Sequence, residues 1–181
     1  MQIEPDTIIA ETRLWLERAV IGLNLCPFAK GVHTKNQIRW QVSAATTPED
    51  LMADLVAELN LLREADPQEI DTTVLVHPLV LQDFLDYNDF LDVVDAVVEE
   101  LGLEGVLQVA SFHPDYQFAG TDADDMGNFS NRSPYPTLHL IREASLDKAV
   151  AAFPDAERIY ETNIETLEKL GRPGWDSLWK D

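Results

Sequence analysis

The feature that most constrains this chain is an alternation of short apolar runs with stretches of helical spacing. Ile38–Val42 alternates as a half-buried strand does. Thr72–Val76 and Val106–Phe112 are denser apolar runs. Between the first two lie Leu51, Met52, Leu55, Val56, Leu59 and Leu62, recurring at helical intervals behind Thr47-Pro48-Glu49-Asp50. That tetrapeptide is a helix start: a capping hydroxyl, a proline in the first turn and acids near the helix dipole. Between the second and third runs, Phe84, Phe90, Leu91, Val94, Val97, Val98 and Leu101 repeat the pattern, with Asn88 a candidate break. Strands joined through helices call for right-handed crossovers and parallel neighbours. A fourth strand, Thr137–Ile141, follows with no helix before it and reads as a candidate antiparallel member. A helix carrying Ile8, Trp15, Leu16, Ala19 and Val20 precedes the first strand. Ser145 reads as the cap of a short helix, and Pro154-Asp155 opens another that ends at Gly171 and Pro173. The expectation is an α/β single domain over residues 1–181, with a mixed, mostly parallel sheet of about four strands covered by helices on at least one face. Residues 172–181 read as a loose tail.

Composition narrows the function classes. The 181 residues suit one core, and 45% of them are apolar. A net charge of −20 repels phosphate backbones and anionic lipid, so no nucleic-acid or membrane partner is expected. No apolar run nears the roughly 20 residues of a membrane span. The first residues lack the basic start and apolar core of a signal peptide, and Cys26 is the only cysteine, so no internal disulfide forms. These features favour the cytoplasm.

Chemistry-bearing residues gather after the strands. Two strands end alike, in Val76-His77-Pro78 and Phe112-His113-Pro114. If those strands are parallel, both histidines lie at the carboxyl edge of the sheet, where open α/β sheets bind ligands. Proline also simply ends a strand, so either histidine alone is unremarkable. The segment from His113 to Pro136 lacks periodicity and is longer than structureless loops usually are. It carries Tyr116, Phe118, Phe129 and Tyr135, which argues for order. Arg132 is its only cation and is a candidate clamp for an anionic group or a structural partner of Asp122, Asp124 or Asp125. Tyr116, Asn131 and Ser133 are further candidate ligand contacts. Asp122-Ala123-Asp124-Asp125-Met126-Gly127-Asn128 suggests a calcium loop, but Met126 and Ser133 occupy positions where an EF-hand needs oxygen ligands and a bidentate Glu. An irregular site for a divalent metal, or a plain acidic turn, fits better. Cys26 sits in a bend before Pro27, either as a buried inert thiol or as a nucleophile paired with His77, His113 or His139. Phosphate-binding glycine loops, nucleophile elbows and zinc-protease signatures are absent.

Three motifs are distinctive together: Leu23-Asn24-Leu25-Cys26-Pro27-Phe28-Ala29, Ala110-Ser111-Phe112-His113-Pro114-Asp115-Tyr116, and Asn131-Arg132-Ser133-Pro134-Tyr135-Pro136-Thr137-Leu138-His139-Leu140. On these the sequence resembles an uncharacterised bacterial family, domain of unknown function 1415, over essentially its whole length. The resemblance implies a single cytoplasmic domain and carries no activity, cofactor or catalytic residue.

Two readings follow. The first is a small enzyme with a His-lined pocket at the carboxyl edge, acting on an anionic small molecule with or without a divalent metal. His77, His113 and Cys26 are its candidate catalytic groups. The second is a noncatalytic module that binds a small molecule or a protein through the aromatic loop, residues 113–136. Clustering of His77, His113 and Cys26 favours the enzyme, and a flat patch of Tyr116, Phe118 and Tyr135 favours the module.

Overall fold

The computed structural model describes residues 3–181. The chain runs α1 (Pro5–Trp15), continued by a π-helical segment (Leu16–Ile21), then α2 (Ala29–Thr34), β1 (Ile38–Val42), α3 (Pro48–Glu64), β2 (Thr72–Val76), α4 (Phe84–Glu100), β3 (Leu107–Phe112), β4 (Thr137–Arg142), α5 (Glu143–Ala151) and α6 (Ile159–Ser177). Thr47 caps α3 by accepting from the Asp50 amide, as its sequence dictates. Asp83 caps α4 in the same way, and α4 passes through Asn88 unbroken. Ser145 does not cap α5, which starts at Glu143; its hydroxyl instead donates to Asp71, 2.7 Å away. None of the described helices is long and apolar enough to cross a membrane.

The four strands form one sheet in the order β1-β2-β4-β3. β1 pairs with β2 in parallel, while β4 pairs antiparallel with both β2 and β3. The sheet is therefore mixed rather than mostly parallel. The reason is that β4 enters between β2 and β3, and its Leu138 and Leu140 are fully buried there. Both residues point to the face covered by α3 and α4, while His139 and Ile141 point to the other covered face, and a strand covered on both faces belongs in the centre of the sheet. β1, β2 and β3 still point the same way, so His77 and His113 leave the same edge.

Helices cover both faces. On one, Leu75, Leu107, Leu138 and Leu140 pack against Leu51, Leu55, Leu59 and Leu62 of α3 and against Tyr87, Phe90 and Val94 of α4. On the other, Ile38, Trp40 and Phe112 meet Trp15, Leu16, Ala19 and Val20, together with Leu167 and Trp175 of α6. Ile8 closes over Val74 and Val76 on that same side. The tail is not loose: α6 kinks at Gly171 (φ 67°), continues to Ser177, and buries Trp175 between Phe129 and Trp179. Gly171 takes the left-handed turn that only glycine adopts freely, and Pro173 falls in the first turn of the restarted helix.

Tyr87 of α4 is completely buried. Its hydroxyl donates to the Thr137 carbonyl at 2.8 Å and accepts from the Phe112 amide at 3.0 Å, joining the last paired residues of β3 and β4. Tyr87→Phe removes a partner from both backbone groups. With about 1–3 kcal/mol lost per orphaned buried group, the variant should unfold about 2–6 kcal/mol more easily in urea. A loss below about 0.5 kcal/mol would show that the bridge carries no weight.

Candidate functional site

The two carboxyl-edge histidines come together, and both are sealed. His77 and His113 have no exposed surface and flank the Tyr87 ring, with ring centroids 5.8 and 4.9 Å from it. Their amides extend the ladder, donating to the carbonyls of Pro136 and Asn131. His77 Nδ1 faces the Val80 carbonyl at 3.0 Å. A carbonyl only accepts, so Nδ1 holds the proton and Nε2, buried with no partner among the described residues, is bare. His113 is the opposite tautomer: Nε2 donates to the Leu81 carbonyl at 3.0 Å, and Nδ1 accepts from the Asp115 amide at 3.0 Å. Protonating that Nδ1 would set one N–H against another. Burial holds His77 down at about 4 and also lowers His113. The turn that supplies both carbonyls is strained, with Leu81 at φ 60°. Two imidazole hydrogen bonds hold it there.

The prolines that follow these histidines do reach a cavity. Pro78, Pro114, Pro134, Tyr135 and Pro136 help wall a space of about 530 Å³ at the carboxyl edge, closed on the far side by α1. Among the described residues its lining includes no lysine or arginine, and the only charged side chain there is Glu4. The Tyr135 hydroxyl donates to the Glu11 carboxylate, and its phenol is pushed up to about 12 by burial and by that partner.

The long loop is packed by the residues read as ligand contacts. Arg132 donates from Nε to the Tyr116 carbonyl at 3.1 Å and from Nη2 to the Ala123 carbonyl at 2.7 Å, and lies 4.3 Å over the Phe129 ring. It meets carbonyls rather than the neighbouring aspartates. Asn131 donates to the Ser111 carbonyl and Ser133 to that of Tyr135. Tyr116 packs tilted on Phe84 and edge-on against Phe118, and Phe118 meets the exposed Tyr160 edge-on, so the half-buried rings cover one another in a column rather than forming a flat patch. Asn128, which closes the acidic run weighed as a calcium loop, is the loop's centre. It is fully buried, accepts from the Phe118 amide and the Thr121 hydroxyl, and donates to the Asp122 carbonyl. The Asp- and Asn-rich run that suggested a metal was the visible trace of this self-bonded turn. Among the described residues no group of three or more His, Cys, Asp or Glu side chains is placed to hold a metal ion.

Cys26 is not with His77 and His113. It lies on the opposite face of the sheet and lines, with His139, an apolar chamber of about 170 Å³ between the strands and helices α1, α2 and α5. Thr72 donates its one hydroxyl proton to the Leu140 carbonyl, so its 2.7 Å contact with His139 Nε2 requires the ring to donate. Burial alone holds His139 down at about 4. Burial also raises the Cys26 thiol, the reverse of what a nucleophile needs.

Two tests follow. The folded-state values of His77 and His139 lie below the unfolded value of about 6.5, so the unfolded chain takes up protons first as pH falls. Their contribution is complete above about 6.5 and is lost toward 4, about 2 kcal/mol for each ring at pH 5. Nitrogen NMR at pH 6 should find His77 neutral with the proton on Nδ1, and His113 and His139 neutral with it on Nε2; an imidazolium at His77 or His139 contradicts the assignment. Arg132→Lys cannot reach both the Tyr116 and Ala123 carbonyls and should cost about 1–2 kcal/mol while opening the loop to protease. An unchanged melting curve would remove Arg132 as the pin.

Comparison with curated proteins and with solved structures gave no match. The family described as Protein of unknown function (DUF1415) matches residues 7–177, from within α1 to the end of α6. The three segments that carried the resemblance meet in the fold: Cys26, Phe28, Phe112 and His139 all line the chamber beneath α2. The chain belongs to the DUF1415 family.

Proposed function

We propose that this protein is a noncatalytic binding module for a small organic molecule, held at the carboxyl edge of the sheet. The observation that carries this reading is the cavity of about 530 Å³ walled by prolines and Tyr135, in the roughly 300–1,000 Å³ range of ligand sites. Its position outside the carboxyl ends of β1 and β2 is where open sheets take ligands. Three observations weigh against acid–base or nucleophilic chemistry there. His77 and His113 are covered and bonded to backbone. Cys26 is across the sheet. The guanidinium of Arg132 is already bonded to the Tyr116 and Ala123 carbonyls.

The lining also redefines the ligand. With Glu4 as the only charged side chain among the described residues of its lining and a chain bearing −20, the cavity disfavours an anion and suits a neutral or cationic molecule with an apolar body. The protein-interaction form of the module has less support, because the loop's aromatic rings face one another.

The test uses Nile red as a neutral apolar probe and anilinonaphthalene sulfonate as its anionic counterpart. Nile red should bind and brighten, and the sulfonate should bind at least about tenfold more weakly. Ala44 is exposed on the cavity wall, so Ala44→Trp should block Nile red and leave the melting temperature unchanged. Equal binding of Nile red by wild type and Ala44→Trp would remove the cavity as the site.

A further inference from the structure

The chamber on the other side of the sheet holds two unused polar atoms among apolar walls. Trp15 lines it and is nearly buried, yet its indole Nε1–H has no partner among the described residues. An orphaned buried donor costs about 1–3 kcal/mol, so it stands out in a well-packed core. His139 supplies the complement. Its Nε2–H is committed to Thr72, which leaves Nδ1 as an acceptor that no donor among the described residues bonds. One uncommitted donor and one uncommitted acceptor thus belong to largely apolar walls, whose other polar side chains, Asp71, Thr72, Thr137 and Ser145, already bond within the protein.

We propose that this chamber is a second binding site, for a neutral single-ring aromatic molecule bearing one hydroxyl group. Size sets the ring count: about 170 Å³ is close to the roughly 150 Å³ of an apolar protein cavity that takes up benzene. Chemistry sets the substituent. A hydroxyl both donates and accepts, so it answers the imidazole nitrogen and the indole N–H together. A carboxylate is excluded because the walls are largely apolar and their one charged side chain among the described residues, Asp71, repels it, and burying an unpaired charge costs far more than these contacts return.

The walls also allow entry. Neither α2 nor α5, which close the chamber, has a buried residue, so both are held by few contacts and open more readily than the core. On the third side the chain is π-helical from Leu16 to Ile21, the irregularity that helices often carry beside ligand sites, and Leu16 and Val20 of that segment line the chamber. This site is separate from the carboxyl-edge cavity and does not depend on it.

Cys26 is the only cysteine and lines the chamber, so its labelling reports occupancy directly. The experiment measures the rate of Cys26 modification by a thiol-specific disulfide reagent in the full chain, with phenol, benzene or benzoate added, and calorimetry in parallel. Phenol should slow labelling and bind at least about fivefold more tightly than benzene, while benzoate has no effect. Ala149 borders the chamber from α5, so Ala149→Phe should fill it and weaken phenol at least about tenfold at unchanged melting temperature. Trp15→Phe should abolish the preference for phenol over benzene while benzene still binds. Ala44→Trp should leave phenol binding untouched, which separates this site from the other. Phenol that fails to protect Cys26, or that binds Ala149→Phe as well as wild type, overturns the proposal. If Trp15→Phe does not fold, the Ala149→Phe comparison alone decides it.

Discussion

The hydroxyl of Tyr87 is the contact on which the carboxyl edge depends. The β3–β4 ladder ends at Phe112 and Thr137, and there the chain turns away in both directions. Their amide and carbonyl would be left unpaired inside the protein. One phenol satisfies both, and its ring separates the two imidazoles that end β2 and β3. The order of dependence runs outward from there. Tyr87 fixes the strand ends, the strand ends place His77 and His113, and the imidazoles hold the Val80 and Leu81 carbonyls of a strained turn. The prolines on the cavity wall stand where they do because the histidines behind them cannot move.

Alternation along the strands divides the molecule's polar residues. Successive side chains point to opposite faces, so Phe112 and His113, though adjacent, belong to different layers. His77 and His113 fall on the α3–α4 side with Tyr87, and His139 falls on the α1–α5 side with Cys26. A one-residue slip of β4 would exchange Leu138 and Leu140 for His139 in the leucine core. The register is thus enforced from both layers at once.

Much of the fold was legible in the sequence because its signals are local. Ile38–Val42 and Thr72–Val76 are bounded as their β-branched composition indicates, and Thr47-Pro48 begins α3 as a cap and first-turn proline should. The strand order was not legible, because an apolar run such as Thr137–Ile141 suits the centre of a sheet or a covered edge equally. α2 carries no buried residue and therefore no stripe to detect. Trp175 looked loose because Gly171 and Pro173 are helix stops, and here they mark a kink. At the site, the repeated His-Pro ending correctly indicated a shared edge. It could not show that the rings turn inward, since their partners are carbonyls of a turn that has no side-chain signature. Arg132 was read by its charge, whereas its partners are backbone oxygens, which no sequence pattern announces.

The central place of β4 has a consequence for how the chain is made. During synthesis the strands emerge in the order β1, β2, β3, β4, but β4 is the only neighbour of β3 and the second neighbour of β2. Until Thr137–Arg142 leaves the ribosome, β2 has one open edge and β3 has no partner. Open apolar edges invite pairing with other chains. The nascent protein therefore carries an unfinished sheet through the synthesis of the whole loop after His113, and its exposure to misassembly rises with every pause between those two strands.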